Sequence, residues 1–252
     1  MTILFTGYFT VLGLIFGSFF NVAGLRIPKK QSIVSPGSSC PVCRHKLRWF
    51  ELIPFFSYLI QKGVCRSCGT RISPIYPVME LITGISFGYA FYTIGFSPEL
   101  AVAVVFISLL VIISVSDMAY MLIPDKILLF FAVILVPLRL LVPLDPWWDA
   151  LAGAVAGFGL LFLIAVLSKG GMGGGDIKLY GVIGLVLGVK LTLLSFFFAT
   201  LIGTVAGLFM IYFKKKSRKE PVPFGPSIAA GSLIVYFFGE KLLEWYWSYF
   251  IM

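Results

Sequence analysis

The chain has 252 residues, 59% of them hydrophobic and 12% charged, with 20 Lys and Arg against 11 Asp and Glu. Soluble domains run at roughly 45–50% apolar and about 25% charged, so the composition excludes a soluble protein and predicts an integral membrane one. The single histidine, His45, excludes a Ser-His-Asp triad inside the bilayer.

The first apolar run, Ile3 to Leu25, lacks a basic stretch before it and a small-residue cleavage site after it, and is read as a retained membrane helix. From Arg26 to Ser73 the sequence turns polar, basic and turn-rich. Beyond that, windows of about 20 apolar residues predict helices near 75–95, 99–116, 127–142, 149–167, 177–189, 191–212 and 227–250. The run Ile177 to Phe213 is too long for one straight span, at about 1.5 Å per residue against a core of about 30 Å. It must bend or reverse near Gly188 to Lys190.

With the first helix running outside to inside, 17 of the 20 Lys and Arg fall on one side, leaving Arg139, Lys190 and Lys241 on the other. The positive-inside rule then places the basic side in the cytoplasm and both termini outside. The run KKKSRK at 214–219 reads as an orienting loop near anionic lipid; with no RNA- or DNA-binding motif beside it, no nucleic-acid partner is expected.

All four cysteines lie in the polar island, as SSCPVCRH (Cys40, Cys43) and GVCRSCGT (Cys65, Cys68). Two C-x2-C pairs suit a tetrahedral four-thiolate zinc site; paired disulfides are the alternative, disfavoured in a reducing cytoplasm. Four thiolates leave no open position for water, so the expected role is structural. His45, next to Cys43, is then a loop-surface residue. The expectation is an all-α polytopic membrane protein of about eight transmembrane helices with a small cytoplasmic zinc-ribbon-like domain. Its parts are a first helix at 1–25, the zinc-binding domain at 26–74 and a transmembrane remainder at 75–252.

Four carboxylates fall at or near the cytoplasmic ends of predicted helices: Glu80, Asp117, Asp125 and Asp176. Ionisable groups at membrane depth are costly and are functional candidates. Asp125 after Pro124 and Asp176 after three glycines also read as helix caps. Asp117 follows ISLLVIISVS, at the C-terminal end of its helix, where the dipole opposes a negative charge. Local stability gives no reason for it. Asp117 and Asp176 brought together would share a proton and could cut a peptide as an aspartic protease does, with Asp176 as base and Asp117 as acid on dipole grounds. The stretch GGMGGG before Asp176 is too glycine-rich for stable helix and predicts either a flexible turn or an open backbone wall for an extended substrate.

GGGDIKL, containing G-x-G-D at Gly173 to Asp176, and SVSDMAYMLIPD resemble the two aspartate segments of bacterial type IV prepilin peptidases. GSFFNVAGLRIP at 17–28, ELIPFFSYLIQKGVCRSCG at 51–69 and ISPIYPVMELITG at 72–84 resemble the same family, most closely its Gram-positive competence-type members. The resemblance implies a bifunctional enzyme of the bacterial cytoplasmic membrane, active on its cytoplasmic side. Such enzymes cut the basic leader of prepilins and pseudopilins after a glycine, then methylate the new terminal residue, usually Phe, with S-adenosylmethionine. It implies catalytic Asp117 and Asp176, supporting Gly173, Gly175, Asp125 and Lys178, and zinc on the four cysteines. For methyl transfer it implies Gly17, Ser18, Asn21, Arg26, Pro28, Tyr76, Pro77 and Glu80, none of which forms a nucleotide-binding motif on its own. Gly17 and Ser18 also read as packing residues, Arg26 as an interfacial one and Glu80 as its partner. The rival readings are a GxGD protease without methyl transfer and a proton- or metal-coupled transporter, which would place its acids near mid-membrane.

Overall fold

The computed structural model describes residues 1–214 and 222–250; most of the KKKSRK run lies outside them. Among these residues the fold is helical, with two isolated β-bridges and no strand. The helices are α1 (Thr2–Arg26), α2 (Phe56–Ile60), α3 (Ile75–Ile94), α4 (Pro98–Tyr120), α5 (Asp125–Leu141), α6 (Asp149–Leu167), α7 (Gly174–Lys214) and α8 (Gly225–Phe250). Four segments are long and apolar enough to cross a membrane: Thr2–Arg26, Pro98–Tyr120, Asp149–Leu167 and Gly174–Tyr212. α3 and α5 cover two more of the predicted spans, near 75–95 and 127–142.

The chain divides into two compact units, Met1–Val115 and Ser116–Met252. In the first, α1 and α3 pack through small residues on both sides. A Cβ on Gly13 would lie 2.7 Å from the Thr83 carbonyl oxygen, and one on Gly84 would lie 2.9 Å from Leu14 Cγ. Glycines spaced by four on each helix let the backbones approach, as membrane helices without a hydrophobic driving force require.

In the second unit α7 reverses at Gly188, whose φ of 74° and ψ of 178° interrupt the helix. The ring of Tyr180 lies 5.8 Å from that of Phe196, residues that a straight helix would hold about 24 Å apart. α7 is therefore a helical hairpin, which decides between the bend and the reversal that length left open near Gly188 to Lys190. Its first leg, 174–187, is only about 21 Å long at about 1.5 Å per residue, short of a core of about 30 Å. Backbone groups at such a reversal lose their helical partners and are costly to leave free in apolar surroundings.

Two charged side chains meet this demand at the reversal. Asp149 Oδ1 accepts the Val189 N–H at 3.2 Å, capping the second leg from the head of α6. Buried Arg139 donates to the Val186 carbonyl at 2.8 Å, closing the first. Asp149→Ala is expected to destabilise the protein by about 1–2 kcal/mol, the scale of a lost cap. Thermal unfolding in detergent, with exposed Glu240→Ala as a surface control, measures it.

Candidate functional site

The site with paired acids is built where α4 ends. Met121, at a φ of 51°, turns the chain and donates its N–H to the Asp117 carbonyl at 2.8 Å. The Ser116 hydroxyl donates to the Leu122 carbonyl at 2.6 Å and tightens the turn. Ile123 is thereby brought against the head of α7, where a Cβ on Gly175 would lie 2.7 Å from its own Cβ. This approach is open only to glycine, and it sets Asp176 beside Asp117 closely enough for their charges to interact.

The spacing of G-x-G-D follows from these contacts. A Cβ on Gly173 would lie 2.9 Å from Asp176 Oδ2, Gly175 is closed by Ile123, and Gly174 has open space around it. The helix begins at Gly174, not at Ile177 as glycine's poor propensity suggested. Close packing at Gly175 overrides that propensity, and Asp176 sits in the first helical turn.

Asp117 is 6% exposed. Its Oδ2 accepts the Gly225 N–H at 2.7 Å, and the Phe224 N–H faces it from the same segment. The reading that local stability gives no reason for Asp117 is corrected here. It caps α8, whose amino end offsets the unfavourable end of α4. Both acids now stand at helix N-termini, so the dipole no longer distinguishes base from acid. Sequence reading missed Gly225; its one local signal is PFGP, a proline-flanked helix start.

The cap position of α5 is taken by Pro124, and Asp125 is the first helical residue. Its two oxygens instead accept from Lys178 Nζ, each at 2.8 Å, in an exposed ion pair joining α5 to the first leg of α7.

In the first unit, the two cysteine pairs form matching knuckles. The Cys40 N–H donates to the His45 carbonyl and the Arg44 N–H back to Cys40; Cys65 with Thr70, and Gly69 with Cys65, repeat the pattern. Arg44 and Gly69, each just after the second cysteine, share positive φ. Bridges Ser39–Lys46 and Val64–Arg71 close the knuckles. The four sulfurs lie within 4.8 Å of one another, with Cys40–Cys68 at 3.8 Å and Cys43–Cys65 at 3.9 Å. These separations are far beyond a bond and close to about 3.8 Å, the edge of a tetrahedron with Zn–S bonds of about 2.3 Å. The donor set fits zinc.

Hydrogen bonds to the Thr70 hydroxyl and N–H bring Cys68 down to about 6. At Cys43 the backbone at His45 pulls the same way, but desolvation and bonds to the other thiols outweigh it and push the thiol up to about 11. His45 lies outside the sulfur cluster, 3.3 Å from Glu51 Oε2, whose carboxyl the Arg48 N–H holds below its usual range.

Of the methyl-transfer candidates, Gly17 and Ser18 meet Glu80 on α3, while Asn21 meets Tyr76. Glu80, 8% exposed, accepts the Phe55 N–H at 2.8 Å, with Ser18 also in hydrogen-bonding reach. Phe55 takes an unusual φ of 61° to present that N–H, a contact the sequence did not suggest. Gly17 passes directly over Glu80, where a Cβ would lie 2.8 Å from its Cα. Asn21 donates to the Tyr76 carbonyl at 3.1 Å, while its buried Oδ1 has no hydrogen-bond partner among the described residues. Arg26, expected beside Glu80, donates to the Ser32 carbonyl at 3.0 Å. A buried carboxylate and a buried amide oxygen without a donor, both in the α1–α3 packing, offer acceptors to a cation.

The chain matches the Bacterial Peptidase A24 N-terminal domain over residues 11–94 and the Type IV leader peptidase family over residues 104–208. It is 50% identical over 236 residues to the prepilin leader peptidase/N-methyltransferase of Bacillus subtilis, covering 94% of this chain and 95% of that one. The protein of the same name from Myxococcus xanthus is 37% identical over 82% of this chain and 64% of its own length. That of Pseudomonas aeruginosa is 32% identical over 94% and 91%. No solved structure matches the chain.

Proposed function

The chain belongs to the type IV leader peptidase family, cleaves prepilins and N-methylates the product, and on that premise we propose which residues do each step. Asp117 and Asp176 form the peptidase centre. The ionised member of the pair takes a proton from water as the water attacks the scissile carbonyl. The protonated member hydrogen-bonds that carbonyl and then delivers its proton to the departing amine. The supporting observation is the pairing itself: Gly175 closing on Ile123 brings two acids together at two helix starts.

Gly173 keeps the Asp176 carboxyl free to hold its place, and the Asp125–Lys178 pair braces the head of α7 against α5. The substrates we infer are prepilins and pseudopilins with a basic leader and an apolar first helix, cut after a glycine. The excess of Lys and Arg in one set of loops supports a multi-pass bacterial membrane protein with its acids on the cytoplasmic side and both termini outside. Lipid is its surrounding partner.

The residues 26–74, with the flanking ends of α1 and α3, carry methyl transfer, and the helices after 74 supply the peptidase. Zinc on Cys40, Cys43, Cys65 and Cys68 holds the loop, and S-adenosylmethionine supplies the methyl group. Glu80 and Asn21 Oδ1 accept from the new terminal ammonium or face the sulfonium charge, while Gly17 and Ser18 allow close approach. Arg26 and Tyr76 frame the site.

The test is co-expression with a type IV prepilin carrying a lysine-containing leader and Phe after the cleavage glycine, followed by mass spectrometry of the mature terminus. Loss of the leader with gain of one methyl is expected. A product cut but unmethylated refutes the second activity, and an uncut one the first.

A further inference from the structure

We propose that Gly225 is a positioning residue for the peptidase: the head of α8 holds Asp117 by one carboxyl oxygen and leaves the other to face the substrate. This rests on the aspartate-pair reading above. The Gly225 N–H reaches Asp117 Oδ2 at 2.7 Å in a buried contact between residues 108 positions apart. It does so because no side chain intervenes. A Cβ there would lie 2.9 Å from Asp117 Cβ, 2.9 Å from Oδ2 and 3.1 Å from Cγ, and the obstacle is the acid itself, rooted in α4.

The local sequence isolates these donors. Pro223 and Pro226 have no N–H, so Phe224 and Gly225 are left as an adjacent donor pair at the start of the helix. With Oδ2 engaged, Oδ1 is the oxygen that exchanges a proton with the reacting atoms. The backbone N–H gives only a hydrogen bond and transfers no proton. Without it the carboxyl can rotate, and the near-attack geometry on which the pair depends is lost.

Gly231 supplies the matched control. It lies farther along α8, and a Cβ there would meet Ala199 N at 2.7 Å, a packing insult of similar size that does not touch the acid. Full-length wild type, Gly225→Ala, Gly231→Ala, Asp117→Asn and Asp176→Asn are reconstituted in lipid and assayed on a peptide with a lysine-containing leader, Gly, Phe and an apolar helix. Rates are divided by the folded fraction from thermal unfolding.

Gly225→Ala is expected to lower kcat by about 100-fold with KM within about threefold, the scale of losing one oriented donor. Gly231→Ala is expected to keep kcat within about threefold. An ester in place of the residue-225 amide, made by cell-free incorporation of glycolic acid, deletes the N–H without adding an atom; it is expected to lose at least about tenfold in kcat and keeps the test decisive if Gly225→Ala does not fold. Wild-type kcat in the ester variant, or equal losses in Gly225→Ala and Gly231→Ala, overturns the inference. If the two Asp→Asn proteins still cut, the aspartate-pair reading fails as well; if they are dead and the ester variant is active, only the role of Gly225 falls.

Discussion

Asp117→Asn and Asp176→Asn are each expected to lower kcat for leader removal by at least about 10³-fold, while methylation of a pre-cleaved peptide beginning with Phe stays within about twofold. General acid and base catalysis each contribute about 10²–10⁴, and members of a unit fail together, so the double variant should be scarcely slower than either single one. Asparagine is the informative replacement because its amide oxygen can still accept the Gly225 N–H and cap α8. Lost activity then reports lost proton transfer instead of a lost helix end. Asp125→Asn is the contrast. Its exposed pair with Lys178 is worth at most about 1 kcal/mol, so cleavage should fall by no more than a few fold. Initial rates on reconstituted protein decide between these outcomes, and full activity in either single variant removes the aspartate pair from the reaction.

What the sequence made legible was whatever rests on near neighbours. Apolar runs marked the helices, C-x2-C spacing marked two knuckles, and the single histidine left only carboxylates to do acid and base work in the bilayer. Contacts between distant segments were not legible, and they changed two conclusions. A dipole argument confined to α4 found no stabilising reason for Asp117, because the N–H groups that hold it belong to Phe224 and Gly225. A propensity argument confined to GGMGGG denied it helical structure, because the reward for a helix at Gly175 is the approach of Ile123 from another segment. The same holds for Glu80, whose partner Phe55 adopts a backbone conformation that no local preference suggests. Even at Gly188, where length alone called for a bend or a reversal, the reversal is secured by Asp149 and Arg139 from two other helices.

Removing the metal is expected to abolish methyl transfer and to leave most of the cleavage activity. Between residues 27 and 73 the buried positions are Cys40, Glu51, Gln61, Gly63 and Cys65, with no aliphatic or aromatic side chain among them. Val34, Trp49, Phe56 and Ile60 are all more than half exposed. A loop of this kind has no apolar core to offset its ordering entropy, and its two isolated bridges contribute little. A four-thiolate zinc site supplies about 10–16 kcal/mol of apparent binding free energy, which becomes folding free energy where no preformed site exists without metal. Metal analysis should find one zinc per chain. Cys40→Ser with Cys65→Ser, or a strong chelator, should open the loop to protease, release the Phe55 N–H from Glu80, and lower methylation by at least about 100-fold. Asp117, Asp176, Ile123, Gly175 and Gly225 all lie in the second unit, 116–252, and the contacts that pair the acids are made within it. Leader removal should therefore stay within about tenfold of wild type. Methylation that persists at the normal rate in metal-free protein would show that the loop folds without zinc, and loss of both activities together would show that the acids depend on it.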